Sequence, residues 1–197
     1  MPYIISGGIG YLLGCINPAY WIAKYKGINI KQAGTGNAGA SNATIVMGWK
    51  VGILVALFDF SKALLAVAAM KWLGYREFAV LAGIMAVFGH IFPFYMRFQG
   101  GKGFASYLGL ILAMNGKLFW WLFALALIVT VLTDYIALAT ITTVLAFPLL
   151  EWQLRPIMFL ACLLLLSAII IIKHQHNLVR IIRREEIGLR QTWKKKR

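Results

Sequence analysis

The stretch PIMFLACLLLLSAIIII, residues 156–172, contains no charged side chain. An α-helix of about 20 such residues is long enough to cross the hydrocarbon core of a bilayer. Comparable apolar blocks occupy residues 3–23, 51–70, 78–95, 104–114, 118–133 and 135–150. A single water-soluble core cannot bury so many long apolar blocks. The pattern therefore predicts an all-α, polytopic membrane protein.

The blocks predict about seven transmembrane helices, some of them short. Blocks 3–23, 51–70, 78–95 and 156–172 approach spanning length, block 104–114 is too short alone, and blocks 118–133 and 135–150 are marginal. A short helix is tolerated where surrounding protein satisfies its backbone. The sequence has no internal repeat or low-complexity linker, so residues 1–197 are expected to form a single integral membrane domain.

Composition agrees with a membrane protein and argues against a nucleic-acid-binding one. The chain is 61% hydrophobic and 13% charged, whereas a soluble domain has about 25% charged residues. Its 20 Lys and Arg against 6 Asp and Glu give a net charge of +14. These basic residues flank the apolar blocks, which is typical of the positive-inside rule and of contact with anionic lipid. We expect the basic tail, residues 193–197, to face membrane lipid as well.

The distribution of basic residues predicts the orientation. Seven crossings put the two termini on opposite sides of the membrane. Most Lys and Arg residues lie between the first and second blocks, between the third and fourth blocks, and in the tail; the other face has only Lys71, Arg76, Lys117 and Arg155. The asymmetry predicts an N-terminus outside the cell and a cytoplasmic C-terminus.

Three polar stretches, the first two of them rich in glycine, lie on the predicted cytoplasmic face and contain all three histidines. The first comes just before an apolar helix. Glycines let consecutive backbone N–H groups converge on one anion, and a following helix N-terminus favours negative charge. The interpretation as a phosphate-binding loop competes with that of a flexible connection. The candidate phosphate ligands are Gly34, Thr35, Gly36, Asn37, Gly39, Ser41 and Asn42.

The second stretch runs from Gly89 to Gly103 and adds a cation. In Gly100-Gly101-Lys102-Gly103 the glycines allow close backbone approach, while Lys102 supplies a point charge suited to phosphate. Lys102 could instead be an interface lysine whose ammonium reaches the headgroups. The stretch is not a nucleotide P-loop, because Gly103 stands where Ser or Thr is required. His90 is a further candidate ligand, although a lone interfacial histidine is more often structural.

The third stretch ends the last helix. His174, Asn177 and Arg180 recur every three residues and therefore share a helix face, whereas His176 points elsewhere. Arg180 could simply anchor the helix at the headgroups. Two histidines at positions i and i+2 of a helix cannot converge on one ion, so we expect no metal site.

Asp59 and Lys62 lie three residues apart inside the second predicted helix. Charges within a bilayer are expensive and are usually paired. The sequence leaves open whether this pair is structural or functional.

These motifs resemble those of the acyl-phosphate-dependent glycerol-3-phosphate acyltransferases of bacterial phospholipid synthesis. The first loop matches the family's Gly-Ser-Gly-Asn-x-Gly-Ala-Thr-Asn with Thr35 for Ser and Ser41 for Thr, and Gly89 to Gly103 match throughout. His174, Asn177 and Arg180 fit the family's His-x-x-Asn-x-x-Arg, and Glu186 stands where the family has a glutamate. Two positions depart from the pattern: Ile45 replaces a family arginine, and Ala63 replaces the glycine of Asp-x-x-Lys-Gly.

The resemblance implies transfer of a fatty acyl group from acyl phosphate to the 1-hydroxyl of glycerol 3-phosphate, without a cofactor. The products would be 1-acylglycerol 3-phosphate and phosphate. It implies a multi-pass protein of the bacterial plasma membrane with its active site on the cytoplasmic side. His174, Asn177 and Lys102 would be catalytic. Either His174 or the donor's own phosphate would accept the hydroxyl proton.

Two alternatives can be compared with this hypothesis. Acyltransferases that use thioester donors have His-x4-Asp, but Tyr95 occupies the aspartate position after His90. A transporter for a phosphorylated solute would also need anion ligands between helices. Transporters tend to bind their ligand near the bilayer midplane, whereas the polar stretches here lie at one face.

Overall fold

The computed structural model describes residues 1–153 and 156–194, and all regular structure in those ranges is helical. The all-α prediction is therefore confirmed for that part of the chain, while Arg155, Lys195, Lys196 and Arg197 lie outside it. The α-helices, in chain order, are α1 Pro2–Cys15, α2 Pro18–Tyr25, α3 Ala40–Met47, α4 Trp49–Trp72, α5 Ala79–Ile91, α6 Phe104–Met114, α7 Gly116–Thr133, α8 Ile136–Glu151, α9 Ile157–Ile182 and α10 Leu189–Lys194.

Four helical segments within the described ranges are long and apolar enough to cross a membrane. They are Trp49–Trp72, Arg76–Met96, Gly116–Thr133 and Ile157–Ile182. Two further apolar helices, α6 and α8, are shorter. The last span extends to Ile182, past the predicted limit at residue 172, so that His174, Asn177 and Arg180 all lie on a helix.

The prediction of one continuous helix over residues 3–23 is wrong. Helix α1 ends at Cys15 and α2 starts at Pro18. A residue before proline is disfavoured in the helical region, and Asn17 is extended, with φ −114° and ψ 99°. Its Oδ1 accepts a hydrogen bond of 2.8 Å from the Tyr20 N–H, which caps α2. The Asn-Pro pair thus ends one helix and begins the next.

Helix contacts divide the chain into two compact units, Met1–Asn115 and Gly116–Arg197. In the first unit, α1 packs closely on α5. A Cβ added to Gly10 would overlap the carbonyl oxygen of Ala82, and one added to Gly14 would overlap that of Ala86. Small residues four apart on both helices allow such close backbone approach. From one contact to the next the residue numbers rise on both helices, so α1 and α5 run parallel.

Helix α4 lies against both α5 and α6. Its Lys62 meets His90 and its Val67 meets Gly83, so α4 runs antiparallel to α5. The contact with α6 is equally close, because a Cβ on Gly109 would overlap the carbonyl oxygen of Phe60. A buried hydrogen bond of 2.8 Å from Ser106 Oγ to the Asp59 carbonyl joins the same two helices.

In the second unit, α7 packs on α8 and α8 packs on α9. Ser167 Oγ of α9 donates to the Val144 carbonyl of α8 at 2.8 Å. The turn between α7 and α8 also holds α10. Asp134, in the left-handed region with φ +70°, accepts the Leu189 N–H with its carbonyl oxygen and the Arg190 N–H with Oδ1. The chain after α9 therefore returns to the α7–α8 turn.

Candidate active site

The first glycine-rich stretch is folded around the buried side chain of Asn42. Asn42 Oδ1 accepts the Thr35 N–H at 2.7 Å, and Nδ2 donates to the carbonyls of Ile30 and Ala33 at 3.2 and 3.0 Å. Both ends of the amide are thus used within the loop, whereas the sequence predicts Asn42 as a phosphate ligand. Gly34 and Gly36 have φ of +58° and +70°, a region that side-chain-bearing residues avoid.

The other polar members of this stretch are more accessible. Thr35 and Ser41 are exposed, and Asn37 is half-buried. Ser41 stands at the beginning of α3, which starts at Ala40. Thr35 and Ser41 therefore lie at the surface of the loop, as a phosphate-binding function requires.

The first loop is also attached to the break between α1 and α2. Asn17 Nδ2 donates to the Ala38 carbonyl at 2.9 Å, and the Asn17 N–H donates to Tyr95 Oη at 3.2 Å. Tyr95 in turn donates to the Cys15 carbonyl at 2.7 Å. The sequence analysis did not predict that Asn17 supports this loop. The Asn17-Pro18 pair, which is typical of the start of a helix, was the available signal. Tyr95 has a structural role at the position where thioester-dependent enzymes have an aspartate.

The second stretch folds back on the C-terminal end of α5. The Gly100 N–H donates to the Ile91 carbonyl at 3.0 Å, and the Gly101 N–H donates to the His90 carbonyl at 3.1 Å. A Cβ on Gly100 would overlap the His90 carbonyl oxygen. Gly103 has φ +96° and precedes α6. Lys102, which follows Gly101 in the chain, is half-buried.

The two glycine-rich stretches meet at Gly39 and Gly101. A Cβ built on Gly39 would lie 4.0 Å from Gly101 Cα and 2.9 Å from Asn37 Nδ2. The structure therefore brings together two loops that the sequence separates by about sixty residues, and Lys102 follows directly from the point of contact. Backbone N–H groups, hydroxyls and an ammonium are the groups that bind phosphate.

His90 lies behind this contact and is only 3% exposed. Its Nδ1 lies 3.1 Å from Lys62 Nζ and 3.3 Å from Asp59 Oδ1. Lys62 Nζ and Asp59 Oδ1 are 2.7 Å apart, and both side chains are 2% exposed. The other ring nitrogen of His90 faces Gly101, where a Cβ would overlap it. The sequence predicts His90 as a ligand, but the structure surrounds its ring with protein.

In the second unit, α9 presents His174 and Asn177 on its buried face, whereas His176 is exposed. His174 Nδ1 lies 2.8 Å from the Ile170 carbonyl oxygen. A carbonyl can only accept, so Nδ1 carries the proton and Nε2 is the basic nitrogen of the neutral ring. In this tautomer a proton would be taken up at Nε2.

The Glu186 carboxylate accepts hydrogen bonds from Asn177 and Arg180, the other two residues of α9 that the sequence predicts for the site. Asn177 Nδ2 donates to Glu186 Oε1 at 2.5 Å, and Arg180 Nε donates to Oε2 at 2.6 Å. The carboxylate thus fixes the orientation of both side chains from the loop after α9. In the described ranges, no group of three His, Cys, Asp or Glu side chains is arranged to hold a metal ion.

A family model for glycerol-3-phosphate acyltransferases matches residues 4–184. The chain belongs to this family. It is 35% identical to glycerol-3-phosphate acyltransferase 1 of Oceanobacillus iheyensis over all of this chain and 99% of that protein. It is 38% identical to the Streptococcus mutans glycerol-3-phosphate acyltransferase over 89% of this chain and 88% of that one.

Solved structures of this acyltransferase family have the same fold. One is a crystal structure of PlsY, an integral membrane glycerol 3-phosphate acyltransferase, in its glycerol 3-phosphate form, with a TM-score of 0.87 at 30% identity over 96% of each chain. Its lysophosphatidic acid form gives a TM-score of 0.83, again at 30% identity, over 95% of each chain. The chain is therefore an integral membrane acyltransferase, and an enzyme is favoured over the transporter alternative.

Proposed function

We propose that this acyltransferase transfers a fatty acyl group from acyl phosphate to the 1-hydroxyl of glycerol 3-phosphate. The observation that carries the proposal is the contact of the two glycine-rich loops at Gly39 and Gly101, next to Lys102. The reaction brings two phosphate-bearing substrates together, so their mutual repulsion must be neutralised. The glycerol 3-phosphate and lysophosphatidic acid forms of PlsY support this choice of acceptor and product.

The chemistry needs little beyond positioning, because an acyl phosphate is already an activated mixed anhydride. The 1-hydroxyl oxygen attacks the acyl carbonyl carbon, and the carbon–oxygen bond to phosphate breaks. The hydroxyl proton passes to His174 Nε2 or to the departing phosphate. Lys102 would stabilise negative charge as it develops on the oxygens. Backbone N–H groups of the loops would assist it, apart from those of Thr35, Gly36, Gly100 and Gly101, which already bond within the protein. Asn177, oriented by Glu186, would position a substrate together with Arg180.

We assign the remaining predicted residues by their accessibility. Thr35, Asn37 and Ser41 would donate to phosphate together with the loop N–H groups. Asn42 would act by folding that loop, because its amide already bonds to three loop backbone groups. Ile45 stands where the resemblance places an arginine, so the first loop offers no cationic side chain at that position.

The same proposal includes seven crossings, with α1 as the first and the loops on the cytoplasmic side. In this topology α1 and α5 cross the membrane in the same direction, because a single crossing, α4, lies between them in the chain. The parallel packing of α1 and α5 supports this arrangement. The basic residues of the loops and the tail support the cytoplasmic assignment. On this topology the protein is a multi-pass enzyme of the bacterial plasma membrane.

The test is an assay of the purified protein with acyl phosphate and labelled glycerol 3-phosphate. We expect labelled 1-acylglycerol 3-phosphate and inorganic phosphate in equal amounts, without any added cofactor. Acyl-CoA and acyl carrier protein thioesters, supplied at the same concentration, should give no product. Comparable turnover with a thioester would contradict the proposed donor, and the absence of any acylated product would contradict the proposed acceptor.

A further inference from the structure

The Asp59–Lys62 pair has a third member that the sequence did not indicate. Lys62 Nζ lies within 2.7 Å of Asp59 Oδ1 and 3.1 Å of His90 Nδ1. The Lys62 ammonium thus forms an ion pair with Asp59 and contacts Nδ1 of His90, which also lies 3.3 Å from Asp59 Oδ1. It therefore fixes the His90 ring with Nδ1 toward α4 and Nε2 toward Gly101.

An ion pair that served only to neutralise charge would not need the histidine. Asp59 and Lys62 already neutralise each other one turn apart on the same helix. The additional contact reaches across to α5, at the residue whose carbonyl accepts the Gly101 N–H. The ring of that residue also fills the space that a Gly101 side chain would need. His90 thus contacts Gly101 through both its backbone and its ring.

We propose that Asp59, Lys62 and His90 form a positioning triad that holds Gly101 against Gly39 and thereby places Lys102. The triad contacts no substrate; it acts through the second glycine-rich loop. The proposal rests on the function proposed above, because its effect is on the binding of a substrate phosphate. All three side chains are buried at 2–3% exposure, which suits a rigid support and not a ligand that exchanges with solvent.

The experiment separates a positioning role from a structural ion pair by means of two variants. Lys62→Met leaves the Asp59 carboxylate buried without its cation, so both stability and activity should fall. In Asp59→Leu/Lys62→Met no buried charge remains, and stability should recover. The His90 ring still lacks its partners in the double variant. We therefore expect the KM for glycerol 3-phosphate to stay raised by about tenfold or more, as expected for a misplaced binding group.

The measurements are the melting temperature in detergent and the separate values of kcat and KM for glycerol 3-phosphate. Ser61→Ala is the matched control, because Ser61 lies between the two charged residues and its hydroxyl bonds to the Phe58 carbonyl of its own helix. It should keep the wild-type KM. A double variant with wild-type KM would overturn the positioning triad, as would one that recovers neither stability nor binding. A wild-type enzyme that forms no product would instead contradict the proposed function.

Discussion

His174 and His176 are two residues apart on α9 and have opposite environments. His174 is buried with its Nδ1 bonded to a backbone carbonyl, whereas His176 is exposed. We expect His174→Ala and Asn177→Ala each to lose about 10²-fold or more in kcat/KM, the lower end for a proton-transfer group. His176→Ala should remain within a few-fold of the wild type. A severe loss in His176→Ala alone would show that the wrong face of α9 has been assigned to the site.

His174→Gln then separates the two candidate bases. Glutamine can donate and accept hydrogen bonds but cannot take up a proton near neutral pH. If His174 is the base, the glutamine variant should be as inactive as His174→Ala. Substantial activity in His174→Gln would instead assign the proton to the phosphate of the donor.

Lys102 allows a similar comparison with a neighbouring residue. If its ammonium neutralises substrate phosphate, Lys102→Ala should lower kcat/KM by about 10²–10³-fold, as for the loss of one charge-stabilising donor. Gln99→Ala is the control, since Gln99 is exposed and lies outside the glycine turn. Both variants should reach the membrane at wild-type levels. Full activity of Lys102→Ala would make this residue an interface lysine.

At the scale of single residues, the sequence predicts which side chains are chemically suitable but not what holds them. Glycines, hydroxyls, lysine and histidine in three stretches already indicate an anion site. His90 and Lys62 are 28 residues apart, and no local pattern predicts that pairing. For Asn42, the same polarity that indicates a ligand also suits a loop-folding residue, and only the geometry distinguishes the two roles.

Among the helix contacts, the close packing of α1 on α5 can be tested most directly by mutation. Gly10 faces the Ala82 carbonyl at a distance that leaves no room for a methyl group, while Gly8 has nothing within 4 Å of where its Cβ would be. Gly10→Ala should therefore destabilise the protein by about 1–3 kcal/mol through overpacking. Gly8→Ala, on the same helix, should be neutral or stabilising by about 0.5–1 kcal/mol.

The melting temperature of the two variants in one detergent provides the measurement. An equal effect of both substitutions would mean that helix propensity, not packing on α5, determines the stability of α1. The acyltransferase activity of Gly8→Ala should be unchanged.

The limits of helices α4, α6, α7 and α8 lie within two residues of those predicted from the apolar blocks. Glycine and charged residues mark these helix ends clearly in the sequence. The break at Asn17 was missed because apolar residues continue on both sides of it. Its N-cap and N1 proline are local signals, but an apolar block of spanning length concealed them.

For the molecule as a whole, the sidedness of the loops is the property to be tested. In a background without Cys15 and Cys162, single cysteines are introduced at the exposed positions Thr35, Gln99 and Arg190, and at Lys117 for the opposite face. In intact cells an impermeant thiol reagent should label only the cysteine at 117. All four should react after permeabilisation. Labelling of intact cells at 35, 99 or 190 would contradict the cytoplasmic assignment.

The pairing of Asp59 with Lys62 has a consequence for biosynthesis. Each isolated charge at the centre of a nascent transmembrane segment costs about 2.5–3.5 kcal/mol on insertion by the translocon. Because Lys62 and Asp59 pair within one turn of α4, this segment carries its own counter-charge into lipid before α5 has been synthesised. His90 joins the pair only when α5 docks. Moving the lysine off that helical turn, with composition unchanged, should lower the fraction of α4 that inserts.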